Sequence, residues 1–188
     1  MVIKHGSDMK GIVFRELVDM IEERFSPAIA DKIISASSLA TNGAYTSVGT
    51  YDHKEIVELV GHLSTTTGIP VPDLQRTFGE HLLNRFALLY PAHFRGQKST
   101  FAFLAILDNK IHVEVKKLYP DAELPVFEHD LADPCKMVFV YRSKRPFADL
   151  AEGLIRGCIK HFNEDITLSR QDLPADEGAH TRFILIKN

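Results

Sequence analysis

Two groups of residues in this sequence could carry chemistry: a histidine inside an apolar helix, and a hydroxyl–hydroxyl–guanidinium triplet at the end of a strand. His112 shares one helix face with Phe101, Ala105, Asp108, Val115 and Tyr119, and Leu104, Leu107, Ile111 and Leu118 flank it. A neutral imidazole binds a transition metal through one ring nitrogen, and apolar surroundings keep water away from that metal. The other reading of such a histidine is a core residue satisfied by a local hydrogen bond. The helix alone does not separate the two.

The triplet is Tyr141, Ser143 and Arg145. Side chains two residues apart project from the same side of a strand, so these three converge. Two hydroxyls and a guanidinium fork form a donor set suited to carboxylates, with arginine supplying charge and bidentate geometry. A polar, solvated strand end is the alternative. Pro125 lies between the histidine and the triplet, where it either presses on a ligand or shapes a turn.

Other chemistries lack their signatures. There is no phosphate-binding G-x-x-x-x-G-K-[ST] loop, no G-x-G-x-x-G after a strand, no C-x-x-C, no H-E-x-x-H and no G-x-S-x-G. No nucleophile–base pair can be assembled, so the chain reads as a non-enzyme. The nine histidines are scattered, and Cys158, His161 and His180 do not make a four-ligand zinc set. A net charge of −3 gives no general attraction to nucleic acid or anionic membrane. Two cysteines, Cys135 and Cys158, are no disulfide framework and suit a reduced compartment. Without a membrane-length apolar run or a signal-peptide pattern, a cytoplasmic location is expected.

The elements that must position these residues can be read from periodicity. Residues 1–8 are polar and read as an extension. Phe14, Leu17, Val18, Ile21 and Phe25 mark a helix that Pro27 stops. A short helix covers 29–37, and 38–50 is a loop. Asp52 caps a helix bearing Ile56, Leu59, Val60 and Leu63, while Pro72-Asp73 opens another bearing Leu74, Phe78, Leu82, Phe86 and Leu89. One long helix, 100–119, carries His112 and ends at Pro120. Residues 137–143 (MVFVYRS) read as a strand, 146–162 as a helix, and 165–170 and 181–187 as two more strands. The expectation is an α+β fold: an N-terminal helical lobe packed on a C-terminal lobe with a small antiparallel sheet and long helices.

Taken together, these features resemble the H-NOX family, the haem nitric oxide/oxygen binding domains related to the sensor domain of soluble guanylate cyclase. The likeness runs from Met9 to the C-terminus. It rests on the opening Met9-Lys-Gly-Ile-Val-Phe, on Ile111-His-Val-Glu-Val-Lys-Lys-Leu-Tyr-Pro, on Pro125 and on the intact Tyr141-x-Ser143-x-Arg145.

The resemblance implies one domain over 9–188, with a helical lobe of about 9–70 and a haem-ligating lobe of about 71–188. Haem b would lie between them, with His112 as axial iron ligand, Tyr141, Ser143 and Arg145 on its propionates and Pro125 against the porphyrin. Family members that hold oxygen stably carry a distal tyrosine where this chain has Leu150, with helper positions at Leu17 and Leu82. With leucine at all three, the pocket lacks the donor that stabilises bound oxygen. Val13, Phe78, Phe86 and Leu154 are further candidate walls. The implied function is a bacterial sensor that binds nitric oxide, and also carbon monoxide. It would signal to a separate sensor histidine kinase or diguanylate cyclase by release or movement of the proximal-histidine helix. An oxygen-binding haem protein and a haem-free ligand-binding interaction domain are the alternatives.

Overall fold

The computed structural model describes residues 8–120 and 122–188. The expected extension lies outside the described residues except for Asp8, which opens a short strand β1 (Asp8–Lys10). This strand pairs antiparallel with β2 (Thr50–Asp52).

The N-terminal half is helical for the reasons the periodicity suggests. Helix α1 (Gly11–Arg24) buries Phe14, Leu17, Met20 and Ile21 on one face. Helix α2 (Pro27–Ala36) starts with proline in its first turn and Ser26 at its cap, where the hydroxyl accepts from Ile29 N at 3.2 Å. Asp52 accepts from Lys54 N at 2.9 Å but ends β2 rather than capping α3 (Lys54–Thr67): the cap position is His53, which makes no side-chain cap bond, and the helix ends at Gly68 in the left-handed conformation. Helix α4 (Val71–Leu89) follows, then the single turn α5 (Pro91–Phe94).

The segment expected as one helix over 100–119 is not continuous. Helix α6 (Thr100–Ala105) is capped by Ser99 and stops at Ile106, where φ is −97° and ψ is −3°. Leu107–His112 then form a π-helical turn before α7 (Val113–Leu118). In that turn the amide of Ile111 reaches the carbonyl of Ile106, five residues back, at 3.2 Å. The apolar residues Leu107, Ile111 and Val115 recur every four residues. That spacing suits an α-helix and a π turn alike, so side-chain types do not reveal the wider winding.

The C-terminal half contains β3 (Val126–Asp133), β4 (Lys136–Ser143), α8 (Ala148–His161), β5 (Ile166–Asp172) and β6 (Ala179–Lys187). The four strands form one antiparallel sheet in the order β3-β4-β6-β5. β4 turns Met137, Phe139 and Tyr141 inward, and β6 turns Thr181, Phe183 and Leu185 the same way. Tyr141 sits opposite Phe127 on one side and Thr181 on the other.

Two apolar cores result. One joins α1–α3 through Phe14, Leu17, Leu59 and Leu63, and the other fills the space above the sheet with Phe101, Leu104, Phe139, Phe183 and Leu185. Helices α4 and α8 pack against each other and serve both cores: Leu82 and Leu150 belong to the first, Leu83 and Ala151 to the second. The architecture is α+β, helices on a small antiparallel sheet. Among the described residues no helix is long and apolar enough to cross a membrane.

Candidate cofactor site

A cavity of about 420 Å3 opens where the two cores meet. Small-molecule and cofactor sites span about 300–1,000 Å3, so this space is large enough for a bound group. Each wall has a distinct chemistry set by the element that forms it.

Helices α1, α4 and α8 build an apolar wall. From α1 come Ile12 and Val13; from α4, Leu82, Leu83 and Phe86; from α8, Leu150, Ala151, Leu154 and Ile155. Every side chain these helices present to the cavity is a hydrocarbon, so that wall has no hydrogen-bond donor. Leu17 and Phe78 are placed elsewhere. Both are fully buried in the helical core and do not line the cavity. Each lies on the apolar stripe of its helix, and the stripe is wider than the part that faces the cavity.

His112 lies on the wall made by the π-helical turn, with Leu107 and Ile111. Its Nδ1 is 2.8 Å from Oδ1 of Asp108. A carboxylate only accepts, so Nδ1 carries the proton and Nε2 keeps its lone pair. The other oxygen of Asp108 accepts from the backbone N–H of Phe127 at 2.9 Å. Phe127 packs its ring against the imidazole at 5.4 Å and stacks on Phe139 at 4.8 Å. Burial pushes the imidazole pKa down and outweighs the attraction of Asp108, which keeps the ring neutral. A neutral, oriented imidazole held by a carboxylate is the arrangement of a metal-ligating histidine.

All three residues of the triplet line the cavity, but only Tyr141 and Ser143 belong to β4, and Arg145 reaches the cavity from the segment just beyond the strand end. Tyr141 is buried; burial pushes its phenol up, while the Ser143 hydroxyl and the Arg145 guanidinium pull it back. The Ser143 hydroxyl also accepts from Arg145 N at 3.1 Å. Arg145 is buried as well. Its Nη2 donates to the carbonyls of Asp8 at 2.7 Å and Glu123 at 2.8 Å, and the Glu123 carboxylate lies 3.8 Å away. Burial pulls the guanidinium down from its usual range and Glu123 opposes this. The side chain thus ties β1 to the segment after α7. Pro125, in that segment, lines the cavity beside Leu124.

Sequence reasoning passed over four contributors. Asp108 stands four residues before His112, a spacing that puts both on one helix face, yet its partnership needed the structure. Phe127 belongs to a strand that was not anticipated. The carbonyls of Asp8 and Glu123 are backbone atoms, and no residue type announces them.

Comparison with known proteins adds a family. The model described as Haem-NO-binding (HNOB) matches residues 10–170. The chain belongs to this family. Solved H-NOX structures agree. The Fe(II) unliganded H-NOX protein from K. algicida is 37% identical, with a TM-score of 0.88, over 96% of this chain and 97% of that one. The H-NOX from Shewanella woodyi, solved bound to IWP-051 in the Fe(II)CO ligation state, is 40% identical, with a TM-score of 0.82, over 96% of this chain and 95% of that one. The S. oneidensis H-NOX in the Fe(II)NO ligation state, 24% identical with a TM-score of 0.87 over 96% of this chain and 99% of that one, shares the fold. Comparison with curated proteins gives no match. The chain therefore has the H-NOX fold, that of a family of haem-based gas-sensor domains.

Proposed function

We propose that this H-NOX protein binds haem b and senses nitric oxide. The observation that carries the reading is His112, oriented by Asp108 and set in the same cavity as an all-hydrocarbon wall. The cavity residues fit the group: a neutral imidazole with its Nε2 lone pair available, apolar and aromatic surfaces for a flat macrocycle, and a buried donor set for carboxylates. Haem supplies a ferrous iron with an open position for a diatomic gas.

The chain's own residues do the rest. His112 would hold the haem iron through Nε2, Tyr141, Ser143 and Arg145 would hold the haem carboxylates, and Pro125 would pack against the porphyrin. Val13, Leu82, Phe86, Leu150 and Leu154 form the gas pocket and exclude water. Bound oxygen needs a donor far more than nitric oxide does, and a neutral hydrogen bond contributes about 1 kcal/mol. A wall of hydrocarbons therefore discriminates against oxygen and accepts nitric oxide and carbon monoxide.

The output follows from the packing. His112 sits in a π-helical turn anchored to β3 through Asp108, so movement at 107–118 reaches the sheet. We place the helical lobe at about 9–70 and the ligating lobe at about 71–188, with α4 and α8 shared between the cores. In this reading the domain has no catalytic role of its own. It acts in the cytoplasm on a separate partner, a sensor histidine kinase or a diguanylate cyclase. Exposure of the reduced, haem-loaded protein to nitric oxide and, separately, to air tests the selectivity. The expected result is a new visible spectrum with nitric oxide and none that persists in air. A stable oxygen spectrum would make this an oxygen-binding protein.

A further inference from the structure

We infer that Asp108 is a positioning residue that sets the strength of the bond His112 makes to the iron and links it to the sheet. The inference deepens the haem reading and rests on it.

Asp108 uses both carboxylate oxygens. Oδ1 takes the Nδ1 proton of His112 at 2.8 Å, and Oδ2 takes the Phe127 backbone N–H at 2.9 Å. The second bond has a structural consequence. Asp108 is on the π-helical turn and Phe127 is on β3, so the carboxylate is fixed from outside its own turn. It is not a flexible side chain that happens to meet the imidazole. Phe127 closes the arrangement by packing its ring on the imidazole and stacking on Phe139 of β4.

Two effects follow. The charge of the carboxylate makes Nε2 a stronger electron donor than a carbonyl partner would, as in other carboxylate–histidine–metal sites. The fixed geometry holds the ring plane, so a displacement of His112 pulls on β3 through a chain of two hydrogen bonds. The ion pairs elsewhere on the seam, such as Arg76 and Arg170 with Asp149, do not touch the imidazole and cannot perform this role.

The test uses His112→Gly protein loaded with ferrous haem and given either imidazole or 1-methylimidazole. Imidazole keeps an N–H for Asp108; 1-methylimidazole has none. In the Asp108-intact protein, imidazole is expected to bind tightly. Asp108→Ala in the same background should weaken imidazole about 10–100-fold, the range for loss of such partners. It should leave 1-methylimidazole unchanged or bound more tightly. Equal weakening of both ligands would show that Asp108 only supports the fold, and would overturn the inference.

Asp108→Asn in otherwise wild-type protein gives a second readout that keeps the side-chain volume. The ferrous iron–histidine stretching band should move to lower frequency, and an unmoved band overturns the inference. Wild-type protein that takes up no haem would instead sink the haem reading itself, so the two failures are distinguishable.

Discussion

Replacing Gly153 with alanine should push α8 off α4 and disturb the cavity wall between them. A Cβ built on Gly153 would lie 2.2 Å from the carbonyl oxygen of Arg76 in α4. The same contact seen from α4 is Gly79, whose Cβ would meet Leu150 O at 2.4 Å and Leu154 N at 2.6 Å. These neighbours are backbone atoms of helices and cannot swing aside. Reaching ordinary contact at 3.4 Å requires a shift of about 1.2 Å between the helices. Overpacking of this kind costs about 1–3 kcal/mol. For a chain of this size that lowers Tm by about 2–12 °C. Circular dichroism melts of wild type and Gly153→Ala are the assay. Gly61→Ala is the control, since nothing lies within 4 Å of a Cβ there and α3 would gain a better helix former. It should stabilise by about 0.4–1 kcal/mol. If Gly153→Ala melted within about 1 °C of wild type, the close α4–α8 contact would not constrain the packing of the two helices.

Further outcomes follow from other parts of the structure. Burial pulls the His81 imidazole below its ordinary value and outweighs the attraction of Glu23 and Glu16, the latter 3.5 Å away. The folded state therefore binds fewer protons here than the unfolded chain does. Its stabilising contribution is present above about pH 6.5 and is lost as pH falls toward the lowered folded value. Urea midpoints at about pH 7.5 and 5.5 should differ less for haem-free His81→Gln than for haem-free wild type, and an equal difference would refute the assignment. Leu150→Tyr places a hydroxyl on the hydrocarbon wall and should raise oxygen affinity about fivefold or more, read by absorbance of the reduced protein titrated with oxygen, as one hydrogen bond of about 1 kcal/mol implies. An unchanged response to oxygen would mean that residue 150 does not face the gas.

The elements that pack on one face were legible before any coordinates. β4 reads as a strand because MVFVYRS is rich in β-branched and aromatic residues, and the structure buries Met137, Phe139 and Tyr141 on one side of it. α1 and α8 read as helices because their apolar residues recur at three and four. β3 escaped notice for a physical reason. It is an edge strand, exposed along most of its length, and its residues VFEHDLAD carry no alternation because neither face is fully covered. The π-helical turn escaped because winding is a backbone property that Leu107, Ile111 and Val115 tolerate either way.

The same distinction applies to the site. His112, Pro125 and the strand-end triplet line one cavity, and their residue types and spacing marked them as candidates. Leu17 and Phe78 show the limit of that reasoning. An apolar helix residue serves a core or a pocket equally well, and only the neighbouring helices decide which. Arg145 shows another limit: two of its partners are carbonyls of Asp8 and Glu123, contributed by chain segments far apart in sequence.

The most direct measurement is the ferrous absorption spectrum of His112→Gly protein, with and without added imidazole. Wild type loaded with haem should show a single Soret band, with one haem per chain. His112→Gly should depart from that spectrum and return to it when imidazole fills the space left by the ring. A His112→Gly spectrum identical to wild type without imidazole would contradict the assignment of His112 as the iron ligand.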